Sequence, residues 1–228
     1  MESGAAQMSG RENILARIRA HAAAGEDEPA RAARVEAHLG AHARGTVPAR
    51  GQQDKAGRIA LLRQILEGQS ASVRELDALG AVPAEIADYL RRHNLAPRLG
   101  MGDDAALAGL DWGGANLELR HGRANAELES ACSMAFAAVA ESGTLVLTSG
   151  PDNPTSLNFM PDNHIIVLRA DQVMGSYEDG WDALRAAFAD GPPRTVNYVS
   201  GPSRTGDIEQ TILLGAHGPR RLHVIIVK

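Results

Sequence analysis

Residues 164–170 read HIIVLRA, and the fold follows from how that stretch is understood. Ile165, Ile166, Val167 and Leu168 are consecutive, large and mostly β-branched, which favours a strand. No polar residue alternates with them, so both faces of the strand must be covered. The same signal recurs as TLVLTSG at 144–150, TVNYVSG at 195–201 and RLHVIIVK at 221–228, each run closing on turn residues or at the chain end. Between the first run and TVNYVSG, the segment YEDGWDALRAAFADGPP at 177–193 predicts a helix anchored by Leu184 and Phe188 and stopped by Gly191, Pro192 and Pro193. Upstream, Ile59, Leu62 and Leu66 have helical spacing, SVREL at 72–76 reads as a short strand, and residues 82–93 read as a helix with Ile86 and Leu90 inward. APRLGMG at 96–102 and ANLELR at 115–120 follow as strands, and the small-residue run NAELESACSMAFAAVAES at 125–142 as a helix. Helices alternating with strands predict an α/β fold with a mostly parallel sheet and helices on both faces.

The first fifty residues differ. An Ala-rich helix over 11–24 places Ile14, Leu15 and Ile18 on one side, GEDEP breaks it, and a second helical piece follows over 30–45 with few large apolar residues. We therefore expect an N-terminal helical extension over 1–50 and an α/β domain over 51–228. At 228 residues, 44% hydrophobic and 22% charged, the chain can bury a real core. It has no run of eighteen apolar residues that could span a membrane and no secretory leader in its first ten, so a cytoplasmic location is expected. A net charge of −5 argues against binding duplex nucleic acid. The single cysteine, Cys132, excludes an internal disulfide and an iron–sulfur cluster held by this chain alone.

Chemistry concentrates in GPSRTGDIEQTILLGAHGP at 201–219, which no core element would use. Ser203, Arg204 and Thr205 follow directly on a strand and could surround an anion, with Asp207 and Glu209 close by in sequence. Asp207 and Gln210 also resemble a capping box, so a helix start is the structural alternative. His217 lies between glycines, where an imidazole could act as acid or base or merely bond a carbonyl. Glu141 stands at the corner before TLVLTSG, placed to act as nucleophile or base, to pair with Arg204, or to cap a helix. The loop at 150–164 holds Asp152, Asn153, Asn158, Asp162, Asn163 and His164. A metal shared by His164 and His217 with Asp162 or Asp207 finds no HxxxH or CxxC support, nor is the His38–His42 pair completed by further ligands, so no metal is expected. In parallel sheets ligands bind at the carboxyl ends of strands, which is where the loops at 148–163, 200–206 and 215–219 are expected. Glu141, Arg204 and His217 would then converge on one hollow.

Together ESGTLVL, MPDNH, GPSRTGDIE and GAHGP resemble, in order and spacing, the lactate utilization protein C family within the LUD-domain proteins, over residues 70–228. Ser142 and Gly206 stand where the family usually has Thr and Ala. The resemblance implies a fold like that of sugar-phosphate isomerases, coenzyme A transferases and formyltetrahydrofolate cyclo-ligases. It implies a role in oxidising L-lactate to pyruvate with partner proteins that carry iron–sulfur clusters, this chain holding no cofactor itself. On that reading the chain is an accessory subunit of an oxidoreductase complex, with Ser203, Arg204, Thr205, Asp207, Glu209 and His217 binding a small carboxylate or other anion. The alternative is a stand-alone transferase or isomerase that uses Glu141 as nucleophile or base. A homodimer is compatible with either.

Overall fold

The computed structural model describes residues 9–22, 27–208, 211–215 and 217–228. Two compact units divide the chain, residues 1–45 and 46–228. The first unit contains helices α1 (Gly10–Ala22) and α2 (Glu28–Ala41). Ser9 and Glu12 cap α1 reciprocally, backbone to side chain, and Asp27 accepts the Ala30 N–H at the start of α2. Neither helix buries a residue, and Ile14, Ile18, Val35 and Leu39 are all exposed.

In the second unit the elements run α3 (Lys55–Gly68), β1 (Ser72–Leu76), α4 (Val82–Arg92), β2 (Arg98–Met101), α5 (Ala105–Ala108), β3 (Glu118–His121), β4 (Ser130–Met134), β5 (Ala137–Val139), β6 (Thr144–Thr148), α6 (Thr155–Phe159), β7 (Asn163–Arg169), β8 (Val173–Met174), α7 (Tyr177–Ala187), β9 (Val196–Val199), β10 (Arg204–Ile208), β11 (Thr211–Leu214) and β12 (Arg221–Val227). Six strands form one sheet in the order β1-β12-β7-β4-β2-β3, every pair parallel. The two most apolar runs, β7 and β12, lie side by side within it. On one face Ile165, Val167, Ile225 and Val227 pack against Ile86, Tyr89 and Leu90 of α4. On the other, Ile166, Leu168, Val224 and Ile226 pack against Leu62 and Leu66 of α3 and against Leu145 and Leu147 of β6. The α/β fold with helices on both faces of a parallel sheet is therefore present. Among the described residues no helix is long and apolar enough to cross a membrane.

Three expectations need correction. Residues 125–142 are not a helix: the run supplies β4 and β5. Alanine favours helices in isolation, but β4 is buried between β2 and β7, and small side chains there let the layers above and below approach closely. The apolar runs do not all join one sheet either. β6 and β9 belong to a second, four-stranded sheet, β8-β5-β6-β9, in which β6 is antiparallel to both neighbours. Finally, the segment after Ser203 does not start a helix. It forms an antiparallel hairpin of β10 and β11 with an irregular register between Thr205 and Ile208, because the β-branched Ile208, Thr211 and Ile212 favour strands over a short helix.

Candidate functional site

Three loops meet at the amino ends of β7 and β12, the edge of the sheet opposite to the expected one. Ser203 donates its N–H to the Pro219 carbonyl at 2.8 Å, Gly215 donates to the Ser203 carbonyl at 3.0 Å, and Arg221 donates to the Asp162 carbonyl at 3.1 Å. The order of elements explains the change of edge. The loop after β6 leaves the second sheet and the loop after β11 leaves the hairpin, and each then enters the six-stranded sheet at the start of a strand.

At this rim the structure joins some of the anticipated residues. The Ser203 hydroxyl accepts the His217 backbone N–H at 3.3 Å, while His217 itself is exposed. Arg204 reaches back to the end of α3, donating from Nη2 to the Gln69 carbonyl at 2.6 Å and to the Ser70 hydroxyl at 2.5 Å. Thr205 and Asp207 lie on β10, and Glu209 lies outside the described residues. His164 is buried and bonds the Ser133 hydroxyl at 3.1 Å, its burial lowering its pKa to about 3.

Glu141 is held by a separate set of contacts. It is 4% exposed, its Oε1 accepts the Tyr177 N–H at 3.0 Å at the first turn of α7, and its own N–H bonds the Gly175 carbonyl. Through Oε1 this carboxylate caps α7, opposite the positive end of the helix dipole, while its Oε2 is buried with no hydrogen-bond partner among the described residues.

A hollow of about 210 Å³ adjoins Arg204, lined in part by Ser70, Ser72, Tyr89, His93, Arg220 and Arg221. Behind Ser72 and Tyr89 of its wall a polar chain runs through the edge of the sheet. Ser72, the first residue of β1, lies opposite His223 of β12 in the parallel register, and its hydroxyl is 2.8 Å from His223 Nδ1. His223 stacks on Tyr89 with ring centroids 4.3 Å apart, and Tyr89 in turn meets His93 at 4.5 Å. Nε2 of His223 stands 3.6 Å from the Glu85 carboxylate. That carboxylate is already engaged by Arg92 at 2.7 Å and faces Arg74 at 3.6 Å. Burial, reinforced by the Arg92 charge, lowers the His223 pKa to about 4, so the ring is neutral at physiological pH. The His93 pKa is lowered as well, by burial and then by Arg221 and Arg92.

The rim is cationic. Arg221 donates from Nη1 to the Asn163 amide oxygen at 3.1 Å, which fixes its guanidinium group. Arg220 folds over Gly215, whose φ of +85° suits glycine and where an added Cβ would come within 2.1 Å of Arg220 Cγ. Small donors on a neutral imidazole, an aromatic wall and two guanidinium groups suit a small carboxylate bearing a hydroxyl. Sequence reasoning missed this wall. Its signal was His223, one polar residue inside the apolar run RLHVIIVK, but only the β1–β12 pairing shows what it meets.

The LUD domain model matches residues 12–227. Lactate utilization protein C of Deinococcus radiodurans is 42% identical over 91 residues, which is 40% of this chain and 42% of that protein. Lactate utilization protein C of Bacillus subtilis is 34% identical over 91 residues, 39% of this chain and 38% of that protein. The matched region thus spans about two fifths of these relatives' length. A crystal structure of a DUF162 family protein from Deinococcus radiodurans matches with a TM-score of 0.59 at 24% identity, covering 77% of this chain and 99% of that one, and shows the same fold. With its family model matched across nearly the whole sequence, the chain belongs to the LUD-domain family.

Proposed function

We propose that this chain is a component of an L-lactate utilization system and binds a small 2-hydroxy carboxylate in the hollow beside Arg204. The observation that carries the reading is the pairing of two guanidinium groups, Arg220 and Arg221, with the Ser72–His223 hydrogen bond across a space of about 210 Å³. The carboxylate would sit against the arginines, which offer forked donors to its two oxygens. The hydroxyl would meet Ser72, whose own partner is the neutral His223. Likeness to proteins described as lactate utilization protein C supports lactate as that acid.

Conversion of lactate to pyruvate removes two electrons and two protons. Cys132 is buried and burial raises its thiol pKa, so it suits neither redox chemistry nor a cluster ligand. The electrons would pass to partner proteins holding iron–sulfur clusters, and this chain would bind and orient the acid. Arg204, tied to Gln69 and Ser70, fixes the rim on which the arginines stand.

Reconstitution of lactate oxidation from this chain and such partners tests the reading. Arg221→Ala is expected to lower lactate-dependent reduction of an electron acceptor at least about tenfold, as loss of a charge-assisted bond costs roughly 1.5–3 kcal/mol. An unchanged rate, with the variant folded by circular dichroism, would remove it.

A further inference from the structure

A second and larger cleft, of about 650 Å³, lies between the loop after β6, the start of α6 and the segments before β4 and β9, and shares no lining residue with this hollow. We propose that it binds a phosphorylated small molecule, with Arg123 and Arg194 on the phosphate oxygens and hydroxyls of the cleft completing their hydrogen bonds.

The chemistry of the lining carries the inference. Arg123 and Arg194 both face the cleft, and among the described residues none that line it is acidic and neither guanidinium has a hydrogen-bond or ion-pair partner. Two unneutralised arginines beside one cavity, in a chain of net charge −5, form a local field that favours an anion.

The hydroxyls add donors. Ser149 Oγ accepts the Thr195 N–H at 2.9 Å, and Ser156 Oγ accepts the Ala124 N–H at 3.0 Å. Each serine therefore uses its oxygen as acceptor and keeps its own proton to donate. Thr155 and Thr195 share one hydrogen bond between their hydroxyls at 3.2 Å, which leaves one further proton. Up to three O–H groups thus accompany the two guanidinium groups. A carboxylate has two oxygens and would leave most of these donors unused, whereas a phosphate group offers three strong acceptors.

The walls are also fixed before any ligand arrives. Through Ser149 the loop after β6 is tied to Thr195, and through Ser156 the start of α6 is tied to Ala124. The tip of that loop is pressed onto Gly102, where an added Cβ would come within 1.9 Å of the Asp152 carbonyl oxygen. The volume lies in the range of about 300–1,000 Å³ typical of sites for drug-sized ligands. It is about three times that of the hollow by Arg221, which gives room for a ligand larger than a three-carbon acid.

Inorganic pyrophosphate is the probe. Isothermal titration of the full chain, in a phosphate-free buffer at low salt, is expected to show saturable binding that Arg123→Gln and Arg194→Gln each weaken roughly tenfold or more. Arg194→Lys should restore only part of it, because a point charge replaces the fork. Thermal melting of each variant reports that it is folded. No saturable binding, binding unchanged in the double variant, or binding removed by Arg221→Ala instead would overturn the proposal. The first two outcomes leave lactate binding at the other site untouched, whereas the third would move the anion to the hollow beside Arg221.

Discussion

The middle of the six-stranded sheet and its amino-terminal rim are made of opposite materials, although the same strands supply both. Between Ile165 and Leu168 on β7, and between Val224 and Ile226 on β12, every side chain is apolar and fully buried. One end of these strands and their neighbours carries Asn163, His164, Arg221, His223 and Ser72, each engaged in a polar contact. In the middle, a residue is defined by size and by the layer it meets. At the rim it is defined by a partner on another strand. Mutations in the two zones should accordingly damage different properties.

The largest effect should come from the middle. Leu168→Ala removes a fully buried side chain between α3 and the second sheet, and urea unfolding should show a loss of about 2–5 kcal/mol. Arg221→Ala, at the exposed rim, should cost less than about 1 kcal/mol by the same measurement while abolishing ligand binding. A comparable stability loss for both would erase the distinction.

Acid should come next. With a folded pKa of about 4 against about 6.5 unfolded, His223 resists protonation only in the native state, so the unfolded chain binds the extra proton between these values. The stability this residue contributes is complete above about pH 6.5 and is lost as the pH falls toward 4, by roughly 3 kcal/mol. His164, with its pKa lowered to about 3, acts in the same direction. Urea midpoints measured from pH 7 to pH 4.5 should fall, and His223→Asn should flatten part of the slope; an identical slope in that variant would contradict the buried, neutral ring.

A smaller effect separates capping from catalysis at Glu141. Glu141→Ala leaves the Tyr177 N–H without its acceptor and should cost about 1–2 kcal/mol, whereas Glu141→Gln keeps an acceptor and should cost less than about 1 kcal/mol. A thioester adduct trapped on Glu141 with an acyl-coenzyme A would instead restore the transferase reading. The smallest change is expected at Cys132: alkylation by iodoacetamide should be negligible in the native protein and complete in urea, since burial raises its pKa and blocks access.

Most of the strands were legible because apolar runs of four or more residues between turn formers admit few other readings. HIIVLRA and RLHVIIVK are the clear cases. The run ELESACSMAFAAVAES was not, because its alanines and serines satisfy a helix locally and reveal their strand character only when β2 and β7 close on both sides. The candidate site divides in the same way. Ser203, Arg204 and His217 stood out in their loop, and the structure places them at one rim. Ser72, Tyr89 and Glu85 carried no local signal. The role of Ser72 arises from the register of β1 against β12, which brings residues more than a hundred positions apart within hydrogen-bonding distance, and those of Tyr89 and Glu85 from the packing of α4 on His223.

Isothermal titration of the full chain with L-lactate at pH 7, repeated for Arg221→Ala, addresses the central claim most directly. Saturable binding to the native chain that disappears in the folded variant is the predicted result. Lactate binding that survives Arg221→Ala unchanged, or no binding to the native chain, would contradict the assignment of the acid to the rim of β1 and β12.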